Sequence, residues 1–251
     1  MPELVILGTA ASVPDAEHDT VGQVLCGPGW AVLVDCGGSP LYKLARVGVE
    51  MESVRAVVLT HRHADHIYGL PLLIQGLWLG GREEPLSIHG PKETLDSAHS
   101  LLQMFSLAER ADMFALKWHS VPLREGQQVL EVEGVRIVAT PVRHREVQAV
   151  AYRFENVQTG RAIVYSGDTE PCPALVRLAF GSDLLIHEAS GEYPGHSSPA
   201  QAAEVGRAAS VGKLALTHYP VREVNLETWR RSASEFPGQV TLACDGNRYP
   251  L

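Results

Sequence analysis

Short hydrophobic runs separated by turn residues recur along the whole chain. Most of them are rich in Val, Ile and Leu, which is typical of buried β-strands. We predict strands at Leu4 to Leu7, Ala31 to Val34, Ala56 to Leu59, Leu86 to His89, Val129 to Val132, Val135 to Ala139, Ala149 to Phe154, Ala162 to Tyr165, Leu184 to Ile186, Leu214 to Leu216 and Val240 to Ala243.

Helical stretches fall between some of these runs. We predict helices at Pro40 to Val47, Pro71 to Leu79, Lys92 to Glu109, Pro173 to Phe180 and Pro199 to Ala209. The last helix has a strong start signal, because Ser198 can act as its N-cap, Pro199 suits the first turn and Gln201 can close a capping box.

Strands dominate both halves of the chain, and the helices are interspersed rather than strictly alternating with them. This order favours the α/β (α+β) class, with two sheets packed face to face and helices outside, as one four-layer αββα domain over residues 1–251. A doubly wound parallel sheet is the alternative. The hairpin-like stretch from Val129 to Tyr165 counts against it.

Composition and charge narrow the classes of function. The chain is 45% hydrophobic and 20% charged, as expected of a globular protein, and its net charge of −8 argues against a general nucleic-acid coat. The four cysteines form no C-x-x-C pair, which suits a reducing cytosol. Because the N-terminus has no export signal and no apolar run could span a bilayer, we expect a cytoplasmic protein without membrane contact.

Candidate chemistry is concentrated in Thr60-His61-Arg62-His63-Ala64-Asp65-His66. In an extended loop residues i and i+2 point the same way, so His61 and His63 can reach one metal ion together. Asp65 and His66 lie where the chain turns into a helix, and they can face a second ion. Imidazole nitrogen and carboxylate oxygen suit Zn, Mn or Fe. The structural alternative, a set of solvated loop histidines, is disfavoured by this strand-loop-helix context.

Four residues cannot fill two metal sites that also keep a position for water, so further ligands should follow downstream. His144, Asp168 and His218 each stand at the end of a predicted strand. Strand ends at one edge of a sandwich can converge on a shared cleft. We therefore expect these three residues to complete the two sites.

These motifs resemble the metallo-β-lactamase superfamily, and within it the ribonuclease Z branch. The similarity runs nearly end to end and includes Leu7 to Pro14, Val34 to Gly37, Thr60 to His66, Gly69 to Pro71, Glu84 to Leu86, Gly90-Pro91, Ser166 to Thr169, His187 to Ala189, His196 to Ser198 and Leu216 to His218. It implies an αββα sandwich that holds two divalent ions, with zinc favoured and Mn or Fe as alternatives. It places one ion on His61, His63 and His144, the other on Asp65, His66 and His218, and Asp168 between both.

The resemblance also implies a reaction. Hydrolases of this type activate a water between the metals, and Asp65 is placed to accept or relay its proton. In the ribonuclease Z pattern the residue matching His196 assists the leaving oxygen, and Glu188 would orient it. A purely structural role for the His187-Glu188 pair stays open, as does one for His196 as an ordinary loop histidine.

Two departures from the ribonuclease Z pattern bear on the substrate. The bacterial enzymes carry a protruding tRNA-binding arm between the segments of His144 and Asp168, where this chain has room only for two strands and a turn. They also have an Arg-Asn pair where this chain has His18-Asp19. We therefore expect a phosphodiesterase for small or short single-stranded substrates and doubt a role on tRNA.

Other functions stay open at this point. The same fold could hydrolyse lactones, sulfate esters or other non-phosphate esters, and a non-catalytic metal-binding module is a third hypothesis. Arg62, Arg143 and Arg145 flank the predicted ligands, where they could hold a substrate phosphate or pair with carboxylates. The sequence also leaves open a homodimer.

Overall fold

The computed structural model describes residues 1–251. Its strands are β1 (Glu3–Gly8), β2 (Gly22–Gly27), β3 (Trp30–Val34), β4 (Val54–Val58), β5 (Leu86–Gly90), β6 (Leu116–Ser120), β7 (Gln127–Val132), β8 (Val135–His144), β9 (Val147–Asn156), β10 (Ala162–Tyr165), β11 (Leu184–Glu188), β12 (Lys213–Thr217), β13 (Gln239–Leu242) and β14 (Arg248–Pro250). Its helices are α1 (Pro40–Arg46), α2 (Ala64–Ile67), α3 (Leu70–Leu79), α4 (Lys92–Met104), α5 (Pro173–Ala179), α6 (Pro199–Ala208) and α7 (Leu226–Arg231), with a 3-10 turn at Met51–Ser53.

The strands form two mixed sheets of seven strands each, ordered β14-β1-β2-β3-β4-β5-β6 and β13-β12-β11-β10-β9-β8-β7. In the first sheet, β14 and β1 to β3 are antiparallel, whereas β3 to β6 are parallel. In the second, β7 to β10 are antiparallel and β10 to β13 are parallel. The two sheets therefore repeat one pattern, an antiparallel half followed by a parallel half.

Three apolar clusters define the layers. Residues of both sheets, such as Ile6 and Tyr152, pack together between them. A second cluster joins the outer face of the first sheet to α1, α3 and α4, and a third joins the second sheet to α5 and α6. The predicted four-layer αββα architecture is therefore confirmed, and the doubly wound alternative is wrong.

Every predicted strand is present, but β2, β6 and β14 were missed. The buried Gln23 and the flanking glycines of β2 hide its apolar run. The strand β6 lies at a sheet edge with polar residues exposed, and β14 has only three residues and contains Pro250. The short helices α2 and α7 were also missed, because four and six residues are too few to show a helical period.

The helix predicted to reach Glu109 ends at Met104, and this is a correction. Ser106 takes a left-handed backbone conformation, with φ of 57°. The amide of Leu107 then bonds back to the carbonyl of Leu102 at 3.0 Å, which closes the helix in the Schellman manner. Leu107 packs into the core beyond that turn. At α6 the predicted capping box between Ser198 and Gln201 is present.

The topology brings several strand ends to one edge of the sandwich. Strands β8, β10, β11 and β12 run in the same direction, so their carboxyl ends lie side by side. These four strands end at or shortly before His144, Asp168, Glu188 and His218, respectively.

None of the helices combines the length and the apolar character needed to span a bilayer.

One buried histidine is not among the candidate ligands and should make stability depend on pH. Burial, and next the charge of the stacked His119 ring, lower the pKa of His89 from 6.5 to about 4. The unfolded chain thus gains a proton near pH 6.5 that the folded protein gains only near pH 4, so stability falls as pH drops through this window.

We expect His89→Leu to reduce this loss by about 1 kcal/mol. The full shift would correspond to roughly 3 kcal/mol, but water reaching the ring screens part of it. Urea unfolding of metal-stripped wild type and variant at pH 7 and pH 4.5 measures the difference. An identical pH dependence in the two proteins would contradict the assignment.

Candidate metal centre and active site

The loop after β4 carries the first four candidate ligands, and hydrogen bonds to Asp35 fix the start of this loop. Thr60 donates its amide and its hydroxyl to the buried carboxylate of Asp35, at 2.8 and 2.9–3.0 Å. His63 then precedes α2, whose first turn contains Asp65 and His66. The strand-loop-helix turn therefore presents all four side chains to one cleft.

The first cluster consists of three imidazole nitrogens from two sheets. His61 Nε2 and His144 Nε2 each lie 3.0 Å from His63 Nδ1. Around a tetrahedral Zn²⁺ with bonds of about 2.0–2.1 Å, ligand nitrogens lie roughly 3.3 Å apart. The three nitrogens therefore surround a common point at close to the spacing of one coordinated ion.

The second cluster consists of Asp65, His66 and His218. The Oδ2 atom of Asp65 lies 3.3 Å from His218 Nε2 and 3.9 Å from His66 Nε2. The Oδ2 atom of Asp168 lies 3.5 Å from each of those two imidazole nitrogens and 3.8 Å from His61 Nε2. Asp168 therefore stands between the two clusters.

The unsatisfied atoms of this cleft fit metal ions. His66 Nε2 and Asp168 Oδ1 are buried and have no hydrogen-bond partner, which is costly for a polar atom away from water. A divalent ion would satisfy both, and the nitrogen and oxygen donors are those that Zn, Mn or Fe accept. The histidine and aspartate clusters are thus compatible with a dinuclear metal site, formed by the seven residues singled out in the sequence.

The titratable groups of the cleft are strongly coupled. Burial and the neighbouring imidazoles hold the pKa of His61 well below its usual value. Burial alone would raise the pKa of Asp168, but the imidazoles of His218 and His66 hold it well below its usual range. Asp168 in turn raises the pKa of both these histidines against the opposing effect of burial. Ions that bind here must therefore displace protons.

Each of three candidate ligand histidines has its second ring nitrogen fixed by a group that the sequence did not reveal. His66 Nδ1 faces Asp35 Oδ2 at 2.8 Å, and His144 Nδ1 faces the carbonyl of Gly195 at 2.6 Å. Ser190 Oγ donates to the carbonyl of His218 and can accept from its Nδ1, 2.7 Å away. These contacts place the proton on Nδ1 and leave Nε2 free to bind a metal.

The three groups that orient these histidines differ in how far the sequence could have indicated them. Asp35 follows the strand β3 in the segment from Val34 to Gly37, which the family resemblance includes, but nothing in that segment assigns it a role. Ser190 and the Gly195 carbonyl carry no sequence signal at all. Their roles depend on how the loop after β11 folds back over the cleft.

His196 is held beside the clusters by Glu188. Its Nδ1 lies 3.1 Å from Glu188 Oε1, and its Nε2 has no partner within the protein. The fully buried carboxylate also accepts backbone amides from Thr169, Ser190 and Ser197. Glu188 therefore orients His196, whereas His187, which donates to the carbonyl of Glu188, does not line the cavity.

A cavity of about 540 Å³ opens over the two clusters. Its arginine is Arg222, which the sequence did not single out. Arg62 instead pairs with Glu93 at 2.7 Å, and Arg145 donates to the carbonyl of Pro194. None of these three arginines, Arg143 included, lines the cavity. For Arg62 the structure therefore shows the alternative expected from the sequence, pairing with a carboxylate.

No arm protrudes between His144 and Asp168. The strands β8 and β9 form one hairpin, with His144 paired to Val147, and β9 passes through a tight turn into β10. The short connection inferred from the sequence is therefore confirmed.

Comparison with known proteins agrees with the fold. A family profile described as "Beta-lactamase superfamily domain" matches residues 24–219. The Ribonuclease Z of Methanothermobacter thermautotrophicus is 32% identical over 92% of this chain and 92% of its own length. That alignment spans 291 positions, more than the 251 residues here, so the relative carries segments without a counterpart in this chain.

Two solved structures share the architecture. The metallo-beta-lactamase fold protein YhfI from Bacillus subtilis has a TM-score of 0.82 and 23% identity, with all of both chains covered. The short form of human tRNase Z has a TM-score of 0.78 and 24% identity, over 99% of this chain and 100% of the other. Fold and site together define a metal-dependent hydrolase. The chain belongs to the beta-lactamase superfamily, and its curated relatives are named Ribonuclease Z.

Asp35 provides a test of the metal centre without removing a ligand. We expect about two divalent ions per chain in protein purified without chelators, and Asp35→Asn should weaken binding by about 10- to 100-fold. The amide cannot hold a proton on His66 Nδ1 as a carboxylate does, yet asparagine tolerates the left-handed backbone found here, with φ of 58°. Elemental analysis and competition with a chromogenic chelator measure both quantities.

The matched control is Asp183→Asn. Asp183 also accepts a backbone amide, that of Ala162, but at the opposite end of the second sheet. The Asp183→Asn substitution should leave metal affinity unchanged. One ion or none in the wild type would contradict the dinuclear site, and equal affinity in Asp35→Asn and wild type would contradict the role of Asp35.

Proposed function

We propose that this protein is a dinuclear metal-dependent phosphodiesterase that uses a metal-bridging hydroxide. The position of Asp168 carries this proposal. A single carboxylate oxygen within 3.5–3.8 Å of imidazole nitrogens from both clusters suits a ligand shared by two ions. A supported histidine stands beside it, as a hydrolase needs for its leaving group.

The two ions would be held by separate sets of residues. His61, His63 and His144 would hold one, Asp65, His66 and His218 the other, and Asp168 would bind both; zinc suits this donor set best. When bound, such a pair lowers the pKa of a water between the ions and supplies hydroxide near neutral pH.

The remaining steps belong to the side chains. Asp65 Oδ2, which also accepts from Ser12 at 2.8 Å, lies in the cleft to take the proton of the attacking water. As the hydroxide oxygen bonds to phosphorus, the bond between phosphorus and the leaving oxygen breaks. His196 Nε2 donates its proton to that oxygen. Arg222 stabilises the negative charge of the phosphate. The products are a phosphomonoester and an alcohol.

The cavity supports a small or short single-stranded phosphodiester as the substrate. Its volume of about 540 Å³ lies in the range of small-molecule sites. The curated relatives are named for a ribonuclease, which also cleaves phosphodiesters. Hydrolysis of lactones, sulfate esters or other non-phosphate esters on the same fold stays the alternative.

Two broader proposals accompany this function. We propose that residues 1–251 form one domain, supported by the apolar layer that both sheets share. We propose a cytoplasmic location, supported by four unpaired cysteines, which suit a reducing compartment. The homodimer that the sequence leaves open stays a prediction.

His196→Ala tests the reaction itself. The variant should keep its metal content but lose roughly 10²–10⁴ in kcat on a substrate with a poor leaving group, because that oxygen needs a proton as it departs. The loss should shrink for a nitrophenolate leaving group. Steady-state rates on alkyl and nitrophenyl phosphodiesters measure the difference, with His99→Ala on α4 as a control that should leave both rates unchanged.

An equal loss with good and poor leaving groups would reject His196 as the acid. A panel of phosphodiester, lactone, sulfate ester and cephalosporin substrates tests the wider proposal. Faster turnover of a lactone or sulfate ester than of any phosphodiester would favour the alternative function.

The absence of an arm leads to a prediction about tRNA. Affinity for RNA grows with the number of phosphates that a protein neutralises, and a compact chain of net charge −8 reaches few of them. We expect weak, strongly salt-sensitive binding of precursor tRNA and a kcat/KM no higher than for a nitrophenyl phosphodiester at near-physiological salt. Accurate cleavage at the tRNA 3′ end with the larger kcat/KM would contradict this.

A further inference from the structure

The loop between β11 and α6 carries an aromatic ring that the reaction does not use. Tyr193 lines the cavity over the metal clusters, and apart from the histidines it is the aromatic side chain of that lining. Its side chain is 45% exposed. A large apolar surface is thus open to whatever enters the cavity.

This ring is fixed beside His196. The two ring centroids are 4.7 Å apart, at an angle of 46°. The carbonyl of Tyr193 accepts the amide of His196 at 3.0 Å, and the Tyr193 amide donates to Gly191. Gly191, with φ of 143°, leaves room for the ring, since a Cβ there would lie 2.8 Å from Tyr193 Cε1. The loop therefore holds both rings in one arrangement.

The position of the ring defines what it can touch. His196 serves the leaving oxygen in the proposed reaction, so its neighbour Tyr193 borders the space of the leaving group rather than that of the attacking water. An aromatic face at such a place favours a planar partner, and stacking of a base on an aromatic side chain contributes about 1–3 kcal/mol.

We propose that Tyr193 is a stacking platform that selects phosphodiesters whose leaving alcohol carries a planar aromatic ring. A phenol is one such leaving alcohol, and a nucleoside with its base near the leaving oxygen is another. This inference rests on the phosphodiesterase function proposed above and names its substrate class. Tyr193 takes no part in bond making or breaking, and it acts on the choice of substrate.

The test compares two methyl phosphodiesters, one with a phenyl and one with a hexafluoroisopropyl leaving group, whose leaving alcohols are of similar acidity. The quantity measured is the ratio of kcat/KM for the phenyl ester to that for the fluoroalkyl ester. We expect Tyr193→Leu to lower this ratio by about 5- to 150-fold, the equivalent of the stacking contribution. Tyr193→Phe, which keeps the ring, should preserve it.

A second readout separates recognition from catalysis. The ratio of the calorimetric Kd for phenylphosphonate to that for methylphosphonate should rise in Tyr193→Leu, because only the phenyl ligand loses a stacking partner. If Tyr193→Leu leaves the ratio of kcat/KM values unchanged, because both esters lose activity equally or neither does, the stacking role is overturned while the phosphodiesterase function stands. If the wild type cleaves neither ester, both proposals are overturned together.

Discussion

The charge of two buried carboxylates is the constraint on which the site depends. Asp168 is 2% exposed and Asp35 is 1% exposed, and an ionised carboxylate that far from water is stable only with positive charge and hydrogen bonds around it. His66 contacts both, with Nδ1 toward Asp35 and Nε2 toward Asp168. Asp168 raises the pKa of His66 and His218, which favours positive charge on these two imidazoles, and divalent ions bound at the same place would supply more.

The sandwich is what makes such burial feasible. Asp35 follows β3 and the metal loop follows β4 in the first sheet, while Asp168 follows β10 in the second. The carboxyl ends of both parallel halves thus close over one cleft. Left-handed backbone at Asp35 and at His218, with φ of 58° and 50°, is maintained there because several contacts hold each residue at once.

The sequence was informative about the candidate ligands, which the structure brings together, and poor about what orients them. His61, His63, Asp65 and His66 stand within six positions, and local spacing after a buried strand is enough to indicate metal chemistry. Asp35, Ser190 and the Gly195 carbonyl act from distant segments, and one of them is a backbone atom that no residue type signals. Strands were predictable where apolar runs are continuous. They were missed where a buried Gln23 or an exposed edge breaks the pattern, because only tertiary packing stabilises those segments.

The loop from Ser190 to His196 joins recognition to catalysis. Its Gly195 carbonyl fixes a candidate metal ligand, His144, and its last residue is the proposed acid. No arm extends between His144 and Asp168, and the proposed selectivity rests on the cavity wall. A substitution in this loop that alters selectivity therefore also reaches the proposed acid, because the Tyr193 ring lies with its centroid 4.7 Å from that of His196.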